Sequence, residues 1–281
     1  MNIEELESLL KQAYTDEESG RFESAKLLAN QVIDTIAVDT KNQTALLKIQ
    51  DNRLHDILIS AKLIIGICLW RNSATSEALE VYNDLEKYEL SDFYTAKVLY
   101  CKANIYIEKG KFDEAISMLN KSLRFFKHIG SKKEQWKVLS ALTLVYTRTG
   151  KLLESKAIIE ETLIEIQQAH DEREECAFLH NLGGVQYKLG ENTQALVSLT
   201  KAYNISKRLE AKSLHAAITK NIGVIYRLLG DYEQSLRYYS EALQELESLG
   251  MFGHMAALLG NIGNLYASMG NSHRALDYMK R

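Results

Sequence analysis

Apolar residues recur along the chain at intervals of three and four residues, which is the spacing of one face of an α-helix. The pattern itself repeats every 40 residues: the chain reads NLGGVQYKLGENTQAL at 181–196, NIGVIYRLLGDYEQSL at 221–236 and NIGNLYASMGNSHRAL at 261–276. Each copy has helix-spaced apolar positions before and after its last glycine, which is Gly190, Gly230 or Gly270. We therefore expect two helices per repeat and an all-α protein.

Glycine is the most regular mark of the repeat, since it stands at positions 110, 150, 190, 230 and 270. Glycine adopts the left-handed backbone that commonly follows a helix, so we expect it to end the first helix of each pair. Small residues stand seven positions before it (Ala103, Thr143, Gly183, Gly223, Gly263) and five after it (Ala115, Ser155, Ala195, Ser235, Ala275). They predict close approach of the two helices. Tyrosine, four before the glycine, and a bulky apolar residue, four after the second small one, should fill the space around the contact.

This order of small, aromatic and glycine positions resembles the tetratricopeptide repeat, over essentially the whole chain and most clearly from about residue 92. The 40-residue period and the text N-I/L-G-x-x-Y-x-x-x-G resemble a long-repeat subgroup that includes kinesin light chain, the LGN/Pins adaptors and bacterial peptide-sensing regulators. The resemblance implies a right-handed α-solenoid superhelix of antiparallel helix pairs, whose first helices line a concave groove. The usual 34-residue spacing is exceeded and proline is absent. Both departures predict longer second helices.

We expect one solenoid over residues 1–281, with about seven helix pairs. Residues 1–52 form a divergent first pair with a longer connection near Asp39 to Asn52, residues 53–91 a weak repeat, and residues 92–281 the regular repeats. The last repeat stops in mid-helix, so we expect the sequence to be a fragment of a longer protein.

Net charge, the N-terminal residues, the cysteines and the catalytic motifs each argue against a class of function. The net charge is −3, which argues against general binding of nucleic acid or of a membrane surface. The first residues do not resemble a signal peptide, so we expect a cytoplasmic protein without membrane insertion. The three cysteines, Cys68, Cys101 and Cys176, are far apart, which disfavours disulfides and zinc. No phosphate loop or catalytic motif is complete, so we expect no enzyme, cofactor or metal.

Two charged stretches need interpretation. The run from His170 to Cys176 could suggest a metal or acid–base cluster, but it falls where one helix pair passes to the next and is interpreted as a solvated charge run. A basic stretch is interpreted as a solvated helix face, with contact to an acidic partner as the alternative; it comprises Lys121, Arg124, Lys127, Lys132 and Lys133.

Asparagine recurs in mid-helix at Asn181, Asn221 and Asn261, although it is only a modest helix former. If these residues line the groove, their amides form a ladder that can donate to and accept from a peptide backbone. This resembles the asparagines with which related repeat proteins grip an extended peptide. Residues that would extend the site are Asn264 and Asn104, and those that could contact a carboxylate are His180, Lys220 and Lys137. The alternative is that the asparagines tie adjacent helices together or face solvent.

We therefore hypothesise a non-catalytic scaffold or regulatory module that recognises a protein or peptide segment in its groove. One alternative is the N-terminal sensory region of a larger bacterial signalling enzyme, a kinase or cyclase, whose catalytic domain lies beyond residue 281. Another is a scaffold that self-associates through its terminal repeats.

Overall fold

The computed structural model describes residues 3–40 and 51–280, with side chains described for all of these except residues 38–40. Within these ranges the chain forms fourteen α-helices and no β-strand. The helices are α1 (Ile3–Glu18), α2 (Phe22–Thr40), α3 (Asn52–Arg71), α4 (Thr75–Leu85), α5 (Asp92–Glu108), α6 (Phe112–His128), α7 (Lys132–Arg148), α8 (Leu152–Gln168), α9 (Glu172–Lys188), α10 (Asn192–Arg208), α11 (Lys212–Leu228), α12 (Tyr232–Ser248), α13 (Phe252–Ser268) and α14 (Ser272–Lys280). Most of the longer connection predicted near Asp39 to Asn52 lies outside the described residues.

The chain divides into two compact units, Met1–Ala141 and Leu142–Arg281. The first unit contains α1 to α6, the second contains α8 to α14, and the boundary falls within α7. Within each unit, every helix packs against the next one along the chain. The predicted fold class, an all-α solenoid of helix pairs, is confirmed. The arrangement of residues 1–281 as one solenoid with a truncated last repeat stays a prediction.

The regular glycines close the first helix of each pair, as predicted. At the end of α11, Gly230 has a φ of 80°, and its N–H donates to the carbonyl of Arg227 at 3.2 Å. The following N–H, of Asp231, donates to the carbonyl of Tyr226 at 3.0 Å. These two bonds form a Schellman motif, which satisfies carbonyls that the helix end leaves unpaired. The glycines at 110, 150, 190 and 270 have the same left-handed backbone.

The second helix of each pair closes in the same way, but its closing residue is not always glycine. His170, at φ 54°, and Glu210, at φ 52°, occupy the left-handed position, whereas the neighbouring repeats have Gly130 and Gly250 there.

In the weak repeat at 53–91, the residue that closes the first helix is not glycine either. Ser73 takes the left-handed conformation, at φ 64°, after α3. The serine explains why the copy at 53–91 is hard to detect, since the glycine that marks the others is replaced.

The small residues permit the predicted close contact within each pair. A Cβ added to Gly223 would lie 2.6 Å from the ring of Tyr239, and one added to Gly183 would lie 2.5 Å from Cγ of Leu199. Tyr239 and Leu199 are the bulky residues that the sequence pattern placed at this contact. The helices from α5 to α13 are all 17 residues long. First and second helices are therefore equal in length, so the second helix alone does not hold the additional residues of the 40-residue period.

Candidate functional site

The three asparagines of the predicted ladder lie on first helices of successive pairs in the second unit. Asn181 is on α9, Asn221 on α11 and Asn261 on α13, and α11 contacts both α9 and α13. All three side chains are partly exposed. The three residues share one position of the 40-residue repeat, so the stacking of pairs brings them to one side of the stack.

Two adjoining cavities lie along these helices, with volumes of about 160 Å³ and about 370 Å³. The smaller is lined by Thr143, Leu144, Thr147, Ile159, His180, Asn181, Gly184, Val185, Lys188 and Asn221. The larger is lined by Gly183, Gly184, Tyr187, Lys188, Leu199, Lys220, Asn221, Val224, Ile225, Arg227 and Asn261. Gly184, Lys188 and Asn221 belong to both walls, so the two cavities form one groove, which we call the α9–α11 groove.

A hydrogen bond between α9 and α11 joins two residues of the groove wall. The amide Nδ2 of Asn221 donates to Nε2 of His180 over 2.8 Å. Burial, and next the positive charge of Lys220, lower the pKa of His180 from its ordinary value of 6.5 to about 4. His180 is therefore neutral at pH 7, with Nε2 free of a proton and able to accept the bond.

The charges around the groove are of one sign. Lys188, Lys220 and Arg227 line the larger cavity, and among the described residues that line either cavity there is no aspartate or glutamate. The ammonium of Lys188 also donates to the carbonyl of Thr147 at 3.4 Å. The groove thus combines amides that both donate and accept with cations that attract a carboxylate.

The structure brings together five of the seven residues predicted for the site: His180, Asn181, Lys220, Asn221 and Asn261. The other two lie elsewhere. Asn264 is exposed on α13 and is not in the wall of either cavity, and Lys137 belongs to the first unit, where its ammonium pairs with Glu134 at 3.0 Å. Asn104 donates to the carbonyl of Tyr100 at 2.9 Å, one turn back on its own helix. The role of the seven residues in peptide binding stays a prediction.

The sequence analysis missed several residues of the groove wall. Gly184 and Lys188 lie three and seven positions after Asn181, and Val224 lies three after Asn221, so all continue the same helical faces. Extending the helical period from each asparagine would have identified them. Arg227 and Tyr187 also line the larger cavity.

A serine, a histidine and a glutamate that are distant in sequence meet inside the second unit. Ser206 Oγ lies 2.8 Å from Nδ1 of His215, and Nε2 of His215 lies 3.3 Å from a carboxylate oxygen of Glu241. The order resembles a nucleophile, a base and an orienting acid. Ser206 is fully buried, however, and its hydroxyl also bonds to the carbonyl of Tyr203 at 2.9 Å, so no substrate can reach it. The network joins α10, α11 and α12.

The three cysteines are buried, and the run from His170 to Cys176 contributes to an ion pair between helices. Burial raises the pKa of the Cys68, Cys101 and Cys176 thiols to about 11, so they stay protonated at neutral pH. Within the run, Glu172 forms an ion pair with Arg208 at 2.7 Å. Over the described ranges, no group of three or more His, Cys, Asp or Glu residues is arranged to hold a metal ion.

A further cavity, of about 430 Å³, lies in the first unit and involves part of the predicted basic stretch. Lys121, Arg124 and His128 line it together with Phe125 and Asp92, and the His128 ring lies 3.1 Å from the Asp92 carboxylate. Lys121, Arg124 and His128 are exposed on α6. The interpretation of this stretch as a helix face in contact with solvent fits their exposure.

None of the helices in residues 3–40 and 51–280 combines the length and the apolar character that crossing a bilayer requires.

Two family models match the chain, both described as tetratricopeptide repeat, one over residues 209–281 and one over residues 96–126. No curated protein matches it in sequence. Among solved structures, a Rap protein complexed with competence and sporulation factor is similar at 16% identity, with a TM-score of 0.74 over 99% of this chain and 75% of that one. The Rap conjugation gene regulator of plasmid pLS20, in complex with the Phr* peptide, is similar at 14% identity, with a TM-score of 0.62 over 99% and 92% of the two chains.

A signal transduction ATPase with numerous domains and a tetratricopeptide repeat sensor, from Pyrococcus horikoshii, is similar at 17% identity, with a TM-score of 0.68. The alignment covers all of this chain and 46% of that one. At these identities the likeness concerns the fold. With the repeat models and the helix-pair architecture, it shows that the chain contains tetratricopeptide repeats and resembles the Rap proteins in fold.

Proposed function

We propose that the second unit is a non-catalytic recognition module that binds an extended peptide or protein segment in the α9–α11 groove. The observation that carries the proposal is the groove itself. Asn181, Asn221 and Asn261 recur at one repeat position and line two adjoining cavities, around which the described charges are all positive. Side-chain amides suit an extended backbone, which offers a donor and an acceptor at each residue.

The contacts suggest how each group acts. One N–H of Asn221 donates to His180, and the Asn221 oxygen is the atom that accepts a hydrogen bond from a peptide N–H. Lys188, Lys220 and Arg227 attract an acidic side chain or a terminal carboxylate. The asparagines fix the peptide backbone, and the cations favour acidic sequences.

The comparisons support the same ligand class. The similar Rap structures contain competence and sporulation factor in one case and the Phr* peptide in the other. The net charge of −3 favours a protein or peptide partner over nucleic acid. The protonated cysteines and the buried Ser206 favour a role without catalysis. We place this module in the cytoplasm.

The proposal is tested by selecting random heptapeptides, displayed on their encoding RNA, against the full chain. An enriched peptide is then titrated by fluorescence anisotropy against the wild type and against an Asn181→Ala, Asn221→Ala, Asn261→Ala variant. Each amide removed from a desolvated contact should cost about 1–2 kcal/mol of binding free energy, so the triple variant should bind at least a hundredfold more weakly.

The matched control is Asn204→Ala, since Asn204 is exposed on α10, a second helix that presents no asparagine to the groove. It should bind within twofold of the wild type. Equal binding by the triple variant and the wild type, at equal helicity, would place the site outside the groove. Selection of no peptide would reject the proposal.

The alternative is that the chain is the sensory region of a larger signalling protein. The similarity to a signal transduction ATPase favours it, because the whole chain aligns with 46% of that multidomain protein. The gene sequence beyond residue 281 tests it: a reading frame that continues into a kinase, cyclase or ATPase domain supports this role, and a stop codon contradicts it. Peptide binding in the groove would then serve as the sensor's input.

A further inference from the structure

Two adjacent glycines in the middle of α9 differ in what surrounds them. Gly183 is required by packing, because an added Cβ would lie 2.5 Å from Cγ of Leu199 and 3.3 Å from the carbonyl of Ala195. Gly184 has no such neighbour, since an added Cβ would meet nothing within 4 Å. Its backbone is helical, so no left-handed turn requires glycine there.

Glycine in the interior of a helix lowers its stability relative to alanine. The other regular repeats carry larger residues at the position of Gly184, namely Asn104, Leu144, Val224 and Asn264. Neither packing nor turn formation therefore accounts for this glycine. A close approach by a ligand is a further reason for glycine on a protein surface.

Gly184 lies where such an approach would occur. It belongs to the walls of both cavities of the α9–α11 groove, with Leu144 in the wall of the smaller and Val224 in that of the larger. The missing side chain leaves a notch between these two apolar residues and beside the cations Lys188 and Lys220.

We propose that Gly184 determines specificity: the notch admits one bulky apolar side chain of the bound segment, of leucine or aromatic size. This inference rests on the proposed function and names the ligand more closely, as an acidic peptide with one large apolar residue. Apolar burial in the notch supplies the selectivity, because leucine and aromatic side chains lose the most water-exposed area there.

The test fills the notch with the residue that the preceding repeat uses. Random heptapeptides displayed on RNA are selected in parallel against the full wild-type chain and its Gly184→Leu variant. Peptides selected by the wild type should share a bulky apolar residue at one position. Peptides selected by Gly184→Leu should carry glycine or alanine there. A wild-type peptide should bind Gly184→Leu at least tenfold more weakly, whereas its alanine-substituted form should bind both proteins within twofold.

Gly253→Leu is the matched control, because an added Cβ at Gly253 also meets nothing within 4 Å and Gly253 lines neither cavity. Its selected peptides should match those of the wild type. If Gly184→Leu loses helicity, Gly184→Ala replaces it, with a smaller loss of affinity in the same direction.

Identical peptide preferences and affinities for the wild type and Gly184→Leu would overturn this inference while leaving the proposed function intact. If the wild type selects no peptide, or if the triple asparagine variant binds as tightly as the wild type, the proposed function is overturned and this inference with it.

Discussion

At the scale of single residues, the bond between Asn221 and His180 changes how the asparagines are understood. The sequence presented them as three equivalent amides, but the Asn221 nitrogen already has a partner on the neighbouring helix pair. One of the two hypotheses drawn from the sequence was that asparagines tie adjacent helices together. At Asn221 the amide joins two helices and lines the groove at once.

The low pKa of His180 makes protein stability depend on pH. In the unfolded chain His180 titrates near 6.5, whereas in the folded chain its pKa is about 4. Between these values the unfolded state binds more protons, so the free energy of unfolding falls as pH drops from 6.5 to 4. At 1.36 kcal/mol per pKa unit, His180 contributes at most about 3 kcal/mol to this fall.

We expect His180→Gln to reduce the loss of stability between pH 7 and pH 4.5, as measured by urea unfolding at both values. Glutamine can still accept from Asn221, so the folded state keeps the bond while the titrating group is removed. The control is His254→Gln, at an exposed position on α13, which should leave the pH dependence unchanged. An equal slope for His180→Gln and the wild type would contradict the buried, neutral histidine.

Glu210 has a backbone conformation that is usual for glycine and unusual for glutamate. Its φ of 52° is left-handed, a backbone that costs a non-glycine residue about 1–2 kcal/mol. We expect Glu210→Gly to raise the free energy of unfolding by about 1 kcal/mol in urea titrations. Gly230→Ala, at a left-handed glycine, should lower it by a similar amount. A destabilised Glu210→Gly protein would show that the side chain of Glu210 contributes more than its strain costs.

At the scale of helices, the repeat text predicted the pairs in detail because the contacts that form them are close in sequence. Gly223 and Tyr239 are 16 residues apart, and a glycine that faces a bulky residue at that spacing implies a tight helix pair. Contacts between pairs were not predictable in this way. The bonds from Asn221 to His180 and from His215 to Ser206 depend on how neighbouring pairs stack, which the period alone does not specify.

The two central glycines of α9 should respond in opposite directions to the same substitution. Gly183→Ala forces a methyl group against Leu199 and should lower the free energy of unfolding by about 1–3 kcal/mol. Gly184→Ala adds the methyl group in open space and should raise it by about 0.5–1 kcal/mol, since alanine favours helix. Both values come from urea unfolding followed by circular dichroism. Two changes of the same sign would contradict the packing described for α9.

At the scale of the whole molecule, charge is unevenly distributed. The chain has a net charge of −3, yet Lys188, Lys220 and Arg227 line the larger cavity of the second unit. The net charge does not indicate a basic groove, because the three residues are separated along the chain and converge through the stacking of α9 and α11. Net charge argues against nucleic acid as a partner, whereas the fold shows where positive side chains converge.

Binding of an acidic peptide should therefore weaken with salt. We expect the dissociation constant of a selected acidic heptapeptide to rise severalfold between 50 mM and 500 mM NaCl, since exposed charges are screened over a few ångströms at high salt. Lys220→Gln should bind more weakly at low salt and show a smaller salt dependence in anisotropy titrations. The exposed Lys201→Gln on α10 serves as the control and should behave as the wild type. A dissociation constant independent of salt would exclude these cations from the site.

The central claim is that a peptide lies in the α9–α11 groove, and photo-crosslinking tests it most directly. A selected heptapeptide carrying a benzophenone side chain is irradiated with the full chain, and the modified residues are identified by mass spectrometry. We predict crosslinks within α9, α11 and α13, next to Asn181, Asn221 and Asn261, and their loss when unlabelled peptide competes. Competable crosslinks confined to the second helices of the pairs, or to the first unit, would contradict the account.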